Sequence, residues 1–238
     1  MPSWDMQETR ELVRRRFAAD QFELARQSLG SSIDRREYAR YHFYETKGLV
    51  ESAIAPLHAD RRLFVAMLGA EEDEAQRKYD ETIVAVGAHA TACVQSLHAV
   101  ADVFSHALYY SLGLNLESNA MTERDVTAQN VLKRLASESC YSTLAGGLKE
   151  LTSHEHHNYL GALANQSKHR SLVKPTLWID MQAEDEPYQF KVQDFAYGGK
   201  VRHGVEMLPF LEATFNRISH VVVDTGEKLN AVLRAKSR

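Results

Sequence analysis

The sequence predicts a mainly α protein, an up-and-down helical bundle with a small antiparallel β hairpin or meander before its last helix. Three observations predict it. Residues 82–112 are sparsely charged, and Ile83, Gly87, Ala90, Val94, Leu97, Ala101, Phe104 and Leu108 alternate at spacings of four and three, the seam of a bundle helix. Gly198-Gly199 sits between runs rich in strand formers, the signature of a two-residue hairpin turn. After it, Leu208, Leu211, Phe215, Ile218, Val222, Leu229 and Leu233 make a second bundle seam. The organisation expected is a single domain over 1–238: a helical bundle over 1–174, a β insertion over 176–207, and a C-terminal helix over 208–235 that returns to the bundle.

In chain order, residues 5–29 read as an amphipathic helix with Leu12, Val13, Phe17, Phe22, Leu24 and Leu29 apolar, and Gly30 as its stop. Arg14-Arg15-Arg16 reads as a solvated face. Ser32 is placed to cap a helix over about 33–55, which Pro56 ends. A short helical piece over 57–69 closes at Gly69. The acids Glu71-Glu72-Asp73-Glu74 then suit the first turn of the long helix, because its N-terminus carries partial positive charge. That helix is apolar nearly all round and is the expected centre of the fold.

Thr122 with Asp125 resembles a cap for a helix over 122–137, and another covers about 141–152 despite Gly146-Gly147. A further helix spans about 154–172, and Pro175 bars its continuation. Leu177-Trp178-Ile179 reads as a strand. Tyr188–Tyr197 alternates and then changes phase at Phe195, which suggests a bulge, and Lys200–Met207 returns from the turn. Pro209 suits the first turn of the last helix.

Composition bounds the function. With 238 residues the chain buries a full core, and 44% hydrophobic and 25% charged residues are ordinary for a globular protein. A net charge of −4 argues against a global nucleic-acid field but leaves room for a local basic face. Two cysteines, Cys93 and Cys140, are too few for a disulfide framework or a cysteine zinc site, and a reducing cytoplasm is the expectation. The N-terminal MPSWDMQETRELVRRR has no secretory-signal pattern. Ile83–Leu114 is long enough to cross a bilayer. However, His89, Gln95, His98, Asp102 and His106 are expensive in lipid, so no membrane is expected. No Gly-rich phosphate loop, nucleophile elbow or dinucleotide fingerprint occurs, and no cofactor is expected.

The densest potential chemistry lies in Ser153–Pro175. On a helix, Leu151, Glu155, Asn158, Ala162, Asn165, His169 and Leu172 share one face, apolar at its ends and polar in its middle. Asn165 and His169 are the candidate catalytic pair, imidazole being able to move a proton near neutral pH. Lys168 and Arg170, with Asn158 and Glu155, are the candidate ligand-binding residues, and the cations favour an anion. A metal alternative uses His98 and Asp102, one helical turn apart on the central helix, with His154 from the His-rich run.

The run Asn165-Gln166-Ser167-Lys168-His169-Arg170, late in a helical bundle, resembles the signature of HEPN-type domains. That motif is an Arg, commonly followed by a polar residue such as Asn, and a His, with four to six residues between the Arg and the His. Asn165 and His169 match the polar residue and the histidine. Ala164 stands at the arginine position. The resemblance covers roughly residues 80–174 and implies a helical protein that binds RNA or a nucleotide. Many members are metal-independent ribonucleases with sites composed across a homodimer, so a homodimer is an expectation too. With Ala164 in place of the arginine, binding is expected over cleavage. A second expectation is a non-enzymatic module that meets a protein partner through the hairpin at Gly198-Gly199. A third is a metal-dependent helical-bundle enzyme.

Overall fold

The computed structural model describes residues 3–59, 74–180, 182 and 187–236. Among these, seven α-helices dominate: α1 Met6–Arg16, α2 Ala19–Ala59, α3 Glu74–Ser111, α4 Ala128–Ala136, α5 Ser142–Ser153, α6 Glu155–His169 and α7 Met207–Ala235. Five short strands lie between α6 and α7: β1 Pro175–Ile179, β2 Tyr188–Val192, β3 Phe195–Tyr197, β4 Lys200–Arg202 and β5 Val205–Glu206. The fold is therefore mainly α with a small antiparallel β element before the last helix, as the sequence predicts. The chain forms two compact units. One comprises Met1–Glu37, Ser96–Asn158 and Thr214–Arg238, and the other Tyr38–Gln95 and Tyr159–Ala213.

In the first unit, α1 starts where the Asp5 carboxylate accepts the Glu8 N–H at 2.9 Å, a standard N-cap bond. Its last turn holds Arg14, Arg15 and Arg16, which suit the negative end of the helix. The break between α1 and α2 falls at Phe17, in extended backbone, and not at Gly30. Tertiary packing explains the shift. The Phe17 ring sits so close over Gly113 that a Cβ there would collide with it, and Gly113 has a left-handed φ of 71°. Gly30 lies inside α2, where its cost of about 1 kcal/mol against Ala is set against the burial of Leu29 beside it. Ser32 caps nothing and instead donates to the Ser28 carbonyl at 3.0 Å within the same helix.

The N-terminal segment is locked to α7. Trp4 packs edge-on against Phe104 with ring centroids 5.9 Å apart. A Cβ on Gly226 would collide with the Trp4 ring. The buried hydroxyl of Thr9 donates to Asn230 Oδ1 at 2.6 Å, and Asn230 Nδ2 donates to the Asp5 carbonyl at 2.8 Å. Arg234 grips the Glu8 carboxylate through two hydrogen bonds of 2.5 and 2.7 Å. The seam of α3 is buried in this unit at Leu97, Ala101, Phe104 and Leu108. Gln76–Ser111 is also apolar and long enough to cross a membrane by length and composition alone.

Thr122 bonds Asp125 as expected, at 2.6 Å, but the pair closes a short 3-10 turn over Glu123–Asp125. The N-cap of α4 is Thr127, whose hydroxyl accepts the Asn130 N–H. Gly147 in α5 has a purpose the sequence does not disclose: a Cβ there would overlap the buried Thr225 of α7. The C-terminal carbonyls of α5, at Glu150 and Leu151, are taken by Arg217 at 3.1 and 3.4 Å.

In the second unit α2 continues past Pro56 to Ala59, so proline does not end it. Leu57 is buried, and its carbonyl accepts the Tyr188 hydroxyl at 3.2 Å, contacts that offset the proline's cost. Gly69 and the acids Glu71, Glu72 and Asp73 lie outside the described residues. Strand β2 pairs antiparallel with β1 (Leu177 opposite Phe190) and with β5 (Val192 opposite Val205). Strands β3 and β4 form a separate hairpin, with Tyr197 opposite Lys200. Gly198 and Gly199 have φ of 61° and 74°, the left-handed pair that a primed two-residue turn requires. The phase change at Phe195 is a full break, not a bulge. Between β2 and β3 the chain turns at Gln193 and Asp194, and Asp194 Oδ1 accepts the Gly204 N–H at 2.7 Å. Proline 209 is the third residue of α7.

Candidate functional site

Helix α6 is shorter than the 154–172 expected, ending at His169. His154 is its N-cap in effect, since its Nδ1 accepts the His156 N–H at 3.1 Å and its carbonyl accepts the Asn158 N–H at 3.1 Å. The buried positions are Leu160, Ala162, Leu163 and Ala164. Ala164, which the resemblance to HEPN-type domains would set at the arginine position, is completely buried. A guanidinium there would have to be desolvated, so the core itself dictates a small residue.

The residues of the predicted polar seam are divided between the two units. Glu155 and Asn158 are exposed in the first turn and belong to the first unit. Asn165, Lys168, His169 and Arg170 belong to the second. Along the helix axis Glu155 and His169 stand about 21 Å apart, from a rise of roughly 1.5 Å per residue. Asn158 Nδ2 is spent on the Ser153 carbonyl at 3.5 Å.

The distal cluster is a surface. Lys168, His169 and Arg170 are exposed, Asn165 is half-buried, and the chain then runs through Ser171–Lys174 into β1. No carboxylate side chain occurs between Glu155 and Asp180, whereas Lys168, Arg170 and Lys174 do. The Arg170 guanidinium lies 5.8 Å from the centroid of Tyr197, a cation–π contact between the end of α6 and the β3–β4 hairpin. On the sheet, Lys191 Nζ lies 5.3 Å from the ring of Trp178, which is 53% exposed. Trp178 and Lys191 share one face of the β1–β2 pair, because Thr176 is opposite Lys191 and Trp178 opposite Gln189. Sequence reasoning missed both aromatic partners. The exposed Trp in an alternating strand was the available signal.

Tyr159, one turn ahead of the cluster's buried base, anchors the hairpin. It packs edge-on against Phe195 and Phe210, at 5.6 and 5.0 Å, and its hydroxyl donates to the His203 carbonyl at 3.1 Å. Burial pushes its phenol up to about 12. The β3–β4 hairpin that carries Tyr197 is therefore anchored to α6 through Phe195 and Tyr159.

The metal alternative meets a different arrangement. Asp102 Oδ1 accepts the Ala128 N–H at 2.9 Å, helping to cap α4. His98 stacks on His157 with centroids 5.8 Å apart, and His154 packs against His156. Among the described residues no group of three or more His, Cys, Asp or Glu side chains is gathered as a metal site. Burial, with His98 and Arg217 nearby, pulls His157 down to about 4, so it is neutral at physiological pH. Cys93 is fully buried and its thiol is pushed up to about 12, which removes it as a nucleophile.

Neither protein-family models, curated proteins nor solved structures gave a match to this chain.

Proposed function

We propose that the second unit binds RNA or a nucleotide through the exposed end of α6, and that it binds without cleaving. The observation that carries this reading is the carboxylate-free, cation-bearing run Lys168, His169, Arg170 and Lys174, with Arg170 set against Tyr197. Cations that track a phosphate backbone beside exposed aromatic rings are the chemistry of single-strand recognition. Trp178 with Lys191 offers a further stacking surface of the same kind. Cleavage in the HEPN manner needs an arginine beside the histidine, and Ala164 is in the core.

The test is fluorescence anisotropy with a labelled single-stranded RNA. Lys168→Gln combined with Arg170→Gln is expected to weaken binding at least tenfold and to reduce its salt dependence. Lys228→Gln, whose ammonium is already paired with Asp224, is expected to leave it unchanged. The RNA is expected to stay intact. Absence of binding by the wild type, or equal loss in both variants, overturns the reading.

One observation favours a protein-interaction role for the hairpin. Val201 on β4 is 64% exposed on a two-stranded edge, where an apolar side chain invites strand addition. A partner lost on Val201→Asp would support that role, and a partner retained would remove it.

A further inference from the structure

The first unit holds a cationic cleft that the α6 surface does not involve. It measures about 220 Å³ and is lined by Gln7, Arg10, Glu11 and Arg14 of α1 with Phe22 and Arg26 of α2. Three guanidinium groups thus face one cleft that contains a single carboxylate.

Their partners show which of them are committed. Arg26 is spent on Glu23, through hydrogen bonds of 2.8 and 2.6 Å. Glu11 is drawn toward Arg15, at 3.8 Å, and accepts from Gln7 at 3.2 Å. Arg10 and Arg14 are one helical turn apart, and among the described residues neither is paired with a carboxylate. The Nε of Arg10 is buried with no acceptor. The Arg14 guanidinium lies 4.5 Å from the centroid of Phe22, which holds its plane in place.

The end of α1 accounts for Arg14 through the helix dipole but leaves Arg10 unexplained, since it lies outside the last turn. Two like charges four residues apart on a helix repel each other. Keeping them together, one with an unsatisfied buried donor and one pinned on an aromatic ring, makes sense if an anion completes the set. Guanidinium forks bind paired oxyanion oxygens, which a halide does not offer, and two cations facing one cleft favour the double charge of a phosphate over the single charge of a carboxylate.

We infer that the cleft between Arg10, Arg14 and Phe22 binds a phosphate dianion, free or as a small monoester. The Arg14-Arg15-Arg16 run thereby divides: all three are exposed, but Arg14 lines the cleft beside Phe22, whereas Arg15 stands 3.8 Å from Glu11.

Isothermal titration with inorganic phosphate and with glycerol 3-phosphate tests this and separates the free ion from the ester. Saturable one-site binding of at least one probe is expected. It should weaken at least tenfold in Arg10→Gln and in Arg14→Gln, and change less than twofold in Arg15→Gln. Phosphate should also raise the wild-type melting temperature where chloride of equal ionic strength does not, a readout that needs no variant to fold. No saturable binding of either probe, an Arg15→Gln loss equal to that of Arg10→Gln, or equal protection by chloride overturns the inference.

Discussion

Adding one methyl group at either of two adjacent glycines separates helix propensity from packing. Gly146 and Gly147 are neighbours in α5, so alanine at either should strengthen the helix by roughly 0.5–1 kcal/mol. At Gly146 a Cβ meets nothing within 4 Å, and only that gain remains. At Gly147 a Cβ overlaps the Oγ1, Cγ2 and Cβ atoms of Thr225. Thr225 is fully buried and cannot swing away into solvent. Overpacking of this kind costs about 1–3 kcal/mol. The propensity gain is common to both variants, so their difference in stability should be that packing cost, about 1–3 kcal/mol in favour of Gly146→Ala. Urea unfolding followed by circular dichroism measures it. Combining Gly147→Ala with Thr225→Ala should recover part of the loss, because Thr225 Oγ1 has no hydrogen-bond partner to lose. Equal stability of the two single variants would refute the close approach of α5 and α7.

Two further outcomes concern the polar flank of α3. Asp102→Ala should cost about 1 kcal/mol by leaving the Ala128 N–H without its acceptor, and a urea midpoint unchanged from wild type would contradict that role. For His157 the folded pKa lies below the ordinary value of 6.5, at about 4. The unfolded chain therefore binds the extra proton first. The stability linked to this histidine is complete above pH 6.5 and is lost as pH falls from there toward 4. His157→Gln should flatten the pH dependence of stability across that window while leaving the neutral-pH midpoint nearer to wild type, as read from unfolding curves at several pH values. An unaltered pH profile would show that another group carries the transition.

Much of the helical architecture was legible because period and polarity are local properties of a chain. The seam of α3 needs only residues that recur every three or four places, and the primed turn needs only two adjacent glycines. Boundaries were less legible. Gly30 and Pro56 are breakers by intrinsic preference, yet both lie inside α2, where buried Leu29 and Leu57 hold the helix. The real break, at Phe17, depends on a ring that fills the space over Gly113 far along the chain.

The candidate site shows the same division. Its residue types were evident, since a run with cations and no carboxylates can be read directly. Its partition was not. Residues that share a helix face at four- and three-residue spacing read as one seam, but α6 contributes to both compact units, with Glu155 and Asn158 counted in the first and Asn165, His169 and Arg170 in the second. Nor could spacing reveal that Asp102 serves the N-terminus of α4, or that His157 stacks on His98.

The sequence by itself determined the mainly helical class, the β element before the last helix and the place of its hairpin turn, because each follows from local periodicity and backbone preference. Only the tertiary structure decided where helices break, why Gly147 and Gly226 are glycines, that Ala164 lies in the core, and which arginines have no carboxylate partner among the described residues. Those depend on what packs from distant parts of the chain, and burial, not sequence spacing, sets their energies.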